Sequence, residues 1–563
     1  MEELLQHGGA LIHNDWGEFF KGLSLILLFL LSLLFIYDRF VQRKNQLLIN
    51  YPLIGRMRYL FYMLREPMRQ YFGDEQFYDT YEKVDWVNKA SYGKKLYYSF
   101  SLTKPSNPNI SKFIHANSVL NIKEVEEPFQ VTFGERQKYP FTTHSIIGRS
   151  AMSDGSISPE ATQAFSKGAY MSHFPINTGE GSLTTNFLTT HACSAAMQGK
   201  SYLQVKMGTF FAQGIYKITK FFFNKEIAIS LYRSLVLKKE QETYNFDERN
   251  YAFYRVDWSK SLVEFPKKVD DIADIVFQMG SGLYGVRDKN GEFDATRYQK
   301  VMRFCKMTEI KIAQGAKQTG GKLLGKKVTE AIAYYRGIPA HQDIISPNRF
   351  PYASSIEELF DFVGRLQTLS QKPVGIKIVL STKENFEAYA DELLKRIQEK
   401  QPYPDFLTLD GGDGGSGAAP MEMMGRIGLS IPESLDIATE ALEKRGIRDN
   451  LKIIASEKVL TPDDVVELFA YGADFINIAR GFMISAGCIR ARECSGANGK
   501  DCPVGIATMD KMKRSKFLIE QKSHNIAHYH DSLLEGIKAL MAVMGKKHLR
   551  EISKRDLIIN SKI

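Results

Sequence analysis

Between about residues 270 and 480 short apolar runs alternate with amphipathic stretches, and this alternation constrains the fold more than any other feature. Runs at 275–279, 308–312, 374–380, 406–409, 452–455 and 475–479 have the length and composition of strands. Stretches at 328–336, 356–369, 383–400, 432–444 and 462–471 have helical spacing. In the fourth, Leu435, Ala438 and Leu442 share one face, and Gly446 supplies a stop. Repeated βα units of this size mean a parallel sheet. Two earlier strand candidates, 144–151 and 170–175, flank a helix that opens at Ser158-Pro159-Glu160. They bring the count close to eight. The expected fold is α/β, a closed (β/α)8 TIM barrel rather than an open sheet.

Barrel active sites lie at the carboxyl ends of the strands, so the residues there matter most. Asp410 runs into GGDGGSGAAP, where Gly411, Gly412, Gly414, Gly415 and Gly417 fall within seven residues. Such glycine density lets backbone approach a flat or anionic ligand, and successive N–H groups can form an anion nest. It is not a Rossmann fingerprint, because no helix opens on the final glycine. The plainer alternative is a mobile loop. Lys311 and Lys377 lie on expected central strands. A lysine facing the barrel interior needs an anion or a polarised ligand, and period-two alternation puts either Lys311 or Ile312 inside. Gln314 and Lys317 follow Lys311 at intervals of three. Two ammonium groups and an amide suit a dicarboxylate, each charge-assisted hydrogen bond being worth about 1.5–3 kcal/mol. Glu180, in the turn NTGEG, is a candidate proton donor or acceptor. The alternative pairs both lysines with structural carboxylates and leaves Glu180 capping a turn.

Three of the five cysteines cluster late in the chain, as Cys488, Cys494 and Cys502, with C-x5-C-x7-C spacing. Clustered thiolates suggest a soft metal. Zinc sites want four ligands, often in C-x2-C pairs, and that pattern is lacking. Three cysteines could hold a three-iron cluster, or a four-iron cluster with one outside ligand. They could also be unrelated thiols.

The 563 residues suffice for two to four domains, and 44% hydrophobic and 25% charged residues describe a globular protein. A net charge of +10 favours acidic partners: anionic lipid, an acidic electron carrier or nucleic acid. No nucleic-acid motif is present, so that partner ranks last and is not expected. The cysteine usage fits a reducing compartment. Residues 22–37, GLSLILLFLLSLLFIY, carry no charge and are apolar all round, unlike a one-sided core helix. With flanking phenylalanines the run approaches the ~20 residues of a membrane span. Asp38, Arg39, Arg43 and Lys44 follow it where a signal peptide would have a small-residue cleavage site. Basic residues after the span and acidic ones before it imply a single-pass anchor with the body in the cytoplasm. The expected organisation is a 1–44 anchor, a 45–142 lead-in packing on the barrel with a short helix near 52–72, a 143–510 barrel and a 511–563 helical tail. Within the barrel, 183–268 is strongly aromatic: Phe210, Phe211 and Phe221 to Phe223 alternate with Lys206, Lys217, Lys220 and Lys225. The periodicity is not clean, which favours a helical layer around the barrel over a surface lying on the membrane.

The motifs NTGEGS (177–182), GSGLYGVRD (280–288), EIKIAQGAK (309–317), GKKVT (325–329), ISP (345–347) and LDGGDGGSGAAP (409–420), with the run 487–508, resemble the FMN-binding synthase domain of glutamate synthase. More closely, the chain is similar to short glutamate-synthase-like proteins that carry this domain behind an N-terminal hydrophobic segment. The resemblance implies an oxidoreductase acting on CH–NH2 donors, with FMN and a 3Fe-4S iron–sulfur cluster held by Cys488, Cys494 and Cys502. It implies reduction of 2-iminoglutarate, made from 2-oxoglutarate and ammonia, with electrons from a ferredoxin-like donor or from reduced nicotinamide through another subunit. The family roles fall on Lys311 and Glu180 for catalysis, and on Gln314, Lys317 and Ser355 for the 2-oxoacid. Lys377 would stabilise reduced flavin. Ser153, Gln278, Ser456, Arg480 and the glycines of 411–417 would help hold FMN. The chain departs from the family in three ways: its second cysteine gap is seven residues rather than four, Glu457 replaces a glycine, and the glutaminase domain with its N-terminal cysteine is missing. Glu457 should turn from the flavin phosphate or pair with Lys458, and ammonia should come from elsewhere. Two alternatives stay open: the same cofactors with another substrate, or a barrel scaffold without cofactors.

Overall fold

The computed structural model describes residues 2–42, 51–57, 80–97, 112–116, 129–188, 202–223, 225–237, 245–256, 272–315, 322–417, 422–496, 499–514 and 517–558, with isolated positions between them. It divides into two compact units, Met1–Glu75 and Gln76–Ile563.

In the first unit a helix spans Glu2–Ile36 and continues as a wider turn over Tyr37–Val41. The stretch Phe19–Val41 has a mean hydropathy of 2.5, and none of its most apolar window is buried. At its end, Asp38 is buried and accepts hydrogen bonds from Arg56 Nε at 2.8 Å and Arg56 Nη2 at 2.5 Å.

The second unit is built on a closed barrel of eight parallel strands. In chain order they are β1 (Ile147–Arg149), β2 (Ile176–Asn177), β3 (Ile275–Met279), β4 (Met307–Lys311), β5 (Val374–Ile378), β6 (Phe406–Asp410), β7 (Lys452–Ser456) and β8 (Phe475–Ile478). Closure comes from β8 pairing with β1, as Ile476 with Ile147. The last six strands fall within a residue or two of their sequence-based positions. The second differs: 170–175 is not a strand, because the helix Pro159–Met171 runs into it and His173 then turns the chain with φ 54°. The strand follows at Ile176. That helix is capped by Ser158, which accepts from Ala161 N at 3.2 Å, with Pro159 just inside, so its start matches the expectation.

A hairpin from the lead-in, Val131–Phe133 with Phe141–Thr143, closes the amino-terminal end of the barrel. Phe133 is fully buried and meets Phe406 and Phe475 edge-on at 5.5 and 5.7 Å. Val276, Met307 and Ile454 complete this apolar floor. The C-terminal tail is also part of the body. Its helix Ile519–Met544 lies against Pro159–Met171, where Gly168 leaves room for Ile526, and Tyr529 and Leu533 enter the main core. The aromatic segment forms two helices, Phe210–Phe222 and Lys225–Val236, beside a three-stranded antiparallel sheet. It has its own small core around Tyr216, Tyr232 and Phe253 rather than a layer spread over the barrel.

Phe133 bears on the floor of the whole barrel. Phe133→Ala should destabilise the chain by about 3–5 kcal/mol, the usual cost of emptying a buried phenylalanine site. Denaturant unfolding of the purified chain checks this, with a loss under 1 kcal/mol as the contrary result.

Candidate active site at the barrel mouth

The middle of the barrel is polar, where branched aliphatic side chains are the rule. Glu309 of β4 is buried at its centre. Its Oε1 accepts from Asn177 Nδ2 of β2 at 2.8 Å and Gln278 Nε2 of β3 at 2.6 Å; its Oε2 accepts from Thr408 Oγ1 of β6 at 2.6 Å. Strands β2 and β6 are not neighbours of β4, so these bonds run through the interior. Arg149 of β1 lines the same small space with Glu309, Asn177 and Asn477. Its Nη1 donates to the carbonyls of Ser150 and Met152, while Nε and Nη2 are buried without a partner among the described residues. Burial pushes this guanidinium down to about 9.

One layer higher stand the two strand lysines, paired in register as Lys311 with Lys377. Lys311, not Ile312, carries the inward charge and forms an ion pair with Glu180. Lys377 pairs with Asp410 at 2.9 Å. Burial alone would favour its neutral form, but Asp410 and Glu309 override this and hold its pKa above the ordinary lysine value. Arg149, Lys311 and Lys377 thus face Glu180, Glu309 and Asp410, three cations against three anions.

The glycine loop closes over one side of this mouth. Gly411 N donates to Ser456 O at 3.2 Å, and Gly412 N to Leu429 O at 2.7 Å. A methyl group at Gly411 would overlap the Glu457 carboxylate, and one at Gly412 the Gly428 carbonyl. Gly414 N turns back to Gly411 O at 3.0 Å. At its far end the loop reaches the cysteines: a Cβ at Gly417 would lie 3.5 Å from that of Cys494. Gly415 lies between these two ends.

Cys488, Cys494 and Cys502 are free thiols, and Cys502 is buried. Burial first, then mutual repulsion, raises Cys488 to about 11. Among the described residues no three His, Cys, Asp or Glu side chains converge on a point that would hold a single metal ion. A cluster spreads its cysteine ligands over separate irons, so this all-thiol donor set suits a cluster better than one ion. The loop is pinned by the GKKVT motif. Lys327 Nζ donates to Cys494 O at 2.6 Å and Ala507 O at 2.9 Å, and Lys326 Nζ to Gly496 O at 3.0 Å. The longer cysteine gap is therefore held down at Gly496.

Not every candidate converges. Gln278 is bound to Glu309; Ser456 Oγ lies 3.4 Å from Ser150 Oγ at the end of β7; Ser153 lies against Gly179 and Gly181 beside the Glu180 turn. Gln314 follows Lys311 in the loop whose next residue, Gly315, donates to Asp410 Oδ2 at 2.7 Å. Arg480 opens the helix after β8 and acts electrostatically on Cys488 and Cys494. Ser355 is instead an exposed helix cap, accepting from Glu358 N at 3.2 Å. Lys317 lies outside the described residues. Sequence reasoning missed Glu309, Arg149, Asp410 and the Lys326–Lys327 clamp. A charge at an inward position of a central strand was the available signal for the first three. Glu457 does not pair with Lys458, which pairs with Asp413 at 3.0 Å. Its Oε2 accepts from Ile431 N at 2.8 Å, at the start of the helix Ile431–Lys444.

A family model described as a conserved region in glutamate synthase matches residues 89–228 and 244–547. The chain belongs to the glutamate synthase family. Glutamate synthases are oxidoreductases acting on CH–NH2 donors. The chain is 31% identical to the glutamate synthase large subunit-like protein YerD of Bacillus subtilis, over 96% of its own length and 94% of that protein. It is 32% identical to the archaeal glutamate synthase [NADPH] of Methanocaldococcus jannaschii, over 50% and 51% of the two chains. It is 28% identical to the ferredoxin-dependent glutamate synthase of Cyanidium caldarium, over 54% of this chain and 19% of that one. Thus it spans nearly all of one relative, half of the second and a fifth of the third.

Glu457 gives a pH test. Burial raises its pKa from 4.5 to about 7. Between those values the folded chain keeps a proton that the unfolded chain has lost, so stability falls as pH rises through this window. A shift of that size is on the order of 3 kcal/mol. Glu457→Gln keeps an acceptor for Ile431 N–H and removes the ionisation. Its thermal midpoint should match the parent near pH 5 and exceed it above pH 7; a constant difference would contradict the account.

Proposed function

We propose that this chain is a membrane-anchored synthase of the glutamate synthase type, using FMN and an iron–sulfur cluster to reduce 2-iminoglutarate, formed from 2-oxoglutarate and ammonia, to glutamate. The observation that carries the reading is the meeting of two lysine–carboxylate pairs with a glycine loop whose other end abuts the cysteines. Bound FMN and cluster would supply electron storage and hydride delivery.

The chain's own residues bind, orient and move protons. Lys311 offers an ammonium to a substrate carboxylate or oxo group; Gln314 lies in the loop after it, and Lys317, three residues further in sequence, is the second candidate cation for a small dianion. Glu180 is bound to Lys311 and exchanges partners when a substrate anion competes for that ammonium. Its carboxyl is then placed to hold or release a proton at the substrate nitrogen. Lys377, kept charged by Asp410, sets a fixed positive charge at the mouth, which favours an electron-rich ligand there. Gly411, Gly412 and Ser456 would line the cofactor's path, and Cys488, Cys494 and Cys502 would hold the cluster. A ferredoxin-like protein or a nicotinamide-dependent subunit would supply electrons. The net positive charge suits an acidic carrier.

The apolar stretch Phe19–Val41, uncharged from 22 to 37, would anchor the protein, with the body in the cytoplasm. Full-length protein should then resist carbonate extraction from membranes.

The substrate test uses flavin as reporter. In FMN-bound protein, millimolar 2-oxoglutarate should change the flavin spectrum, and Lys311→Met should abolish the change without releasing FMN. No change in the parent, with or without ammonia, would remove this substrate and leave another 2-oxoacid or imine in its place. Anaerobically purified protein should contain iron and sulfide, and Cys494→Ser should remove most of both while leaving FMN bound. Stoichiometric zinc without iron would contradict the cluster.

A further inference from the structure

The helix Phe210–Phe222 has two apolar faces. One is buried: Ala212, Tyr216 and Thr219 point into the small core shared with Tyr232 and Phe253. The opposite face carries Phe210, Phe211, Ile218, Phe221 and Phe222, and Phe223 follows at the cap. Among the described residues nothing covers this second face. Its phenylalanines are between 71% and 91% exposed and Ile218 is 61% exposed. Soluble proteins rarely leave so much contiguous aromatic surface in water, and a patch of this kind marks an interaction site. The charge around it is mainly positive. Lys206, Lys217, Lys220 and Lys225 flank the phenylalanines, and no aspartate or glutamate occurs between Glu180 and Glu226. Glu248 bridges Lys220 and Lys225, so four lysines meet one carboxylate. The helix does not swing freely, because its partner helix is tied to the barrel by Arg233 and Glu160, at 2.7 Å.

From this arrangement we infer that the Phe210–Phe223 face is a second membrane contact, seated in the interface of an anionic lipid surface. Aromatic rings enter the boundary between headgroups and acyl chains, while flanking lysines reach back to lipid phosphates. An acidic protein partner would account for the lysines but not for the row of phenylalanines. A second copy would account for the phenylalanines but would bring like charges together. The inference uses residues other than those of the anchoring helix and goes beyond the proposed function, since it fixes one side of the body against the bilayer.

The experiment uses the full-length chain with Phe222→Trp, reconstituted in phosphatidylcholine vesicles with or without phosphatidylglycerol and with lipids brominated near the glycerol. The signal of the unsubstituted chain is subtracted, and flotation reports anchoring separately. In anionic vesicles the added tryptophan should shift to the blue and lose about half its emission or more, as an interfacial residue does. Replacing Lys217 and Lys220 by glutamate should reverse both changes while the chain still floats. A floating chain whose added tryptophan stays solvent-like and unquenched overturns the inference and leaves the anchor standing. A blue shift without quenching means that protein, not lipid, covers the face, and also overturns it. A chain that neither floats nor is quenched removes the anchor and this contact together.

Discussion

The site depends on a fully buried carboxylate. Glu309 sits at the barrel centre and is held by an amide from β2, an amide from β3 and a hydroxyl from β6. A buried charge is tolerated only when fully hydrogen-bonded or opposed, and Glu309 is both, since it also acts on Lys377. Such arrangements are weak evidence for stability, because apolar packing of the same volume often does as well. Here the polar middle sets the direction of the layer above it. Lys377 stays charged in a dry place, and Asp410, bound to it, also receives Gly315 N–H and so fixes the loop after Lys311. The floor beneath is the reverse, with Phe133 driven between Phe406 and Phe475 to exclude water from below. An apolar plug, a balanced polar middle and a charged rim leave one open end.

Two loops connect that open end to the cysteines. The glycine loop begins against Ser456 and Glu457 and ends beside Cys494, and its first glycines are needed because other backbone and the Glu457 carboxylate occupy the space of a side chain. The clamp of Lys326 and Lys327 ties the cysteine loop to the segment after β4. Lys311, glycine loop and cysteines are thus mechanically joined.

Much of this was legible in the sequence, where local pattern and tertiary context agree. The six later strands are bounded by helices with clear caps and faces, so period and length place them. Tyr170 to Pro175 looked like a strand because it is apolar and aromatic, but the helix before it lies under the C-terminal helix, and that packing extends it to Met171. The floor hairpin was opaque because its three-residue strands gain their stability from barrel phenylalanines far along the chain. Glu309 gave only one signal, a charge at an inward strand position in MTEIK, and its role emerges only when Asn177, Gln278 and Thr408 surround it. The aromatic segment was read as a covering layer. Its helix has apolar residues on two opposite sides, which blurs the period and conceals that only one side is buried. Of the two arrangements expected for Glu457, turning away or pairing with Lys458, the pairing does not form: Lys458, with φ of 44°, pairs with Asp413.

The central claim is that the barrel holds Lys377 charged, through Asp410 and Glu309, where an electron-rich flavin would lie. The midpoint potential of bound FMN tests it most directly, by spectroelectrochemical titration of the parent and Lys377→Met after FMN occupancy has been matched. Loss of the fixed positive charge should make the flavin harder to reduce, moving the midpoint to a more negative potential. An unchanged midpoint in a fully FMN-loaded Lys377→Met protein would contradict the account.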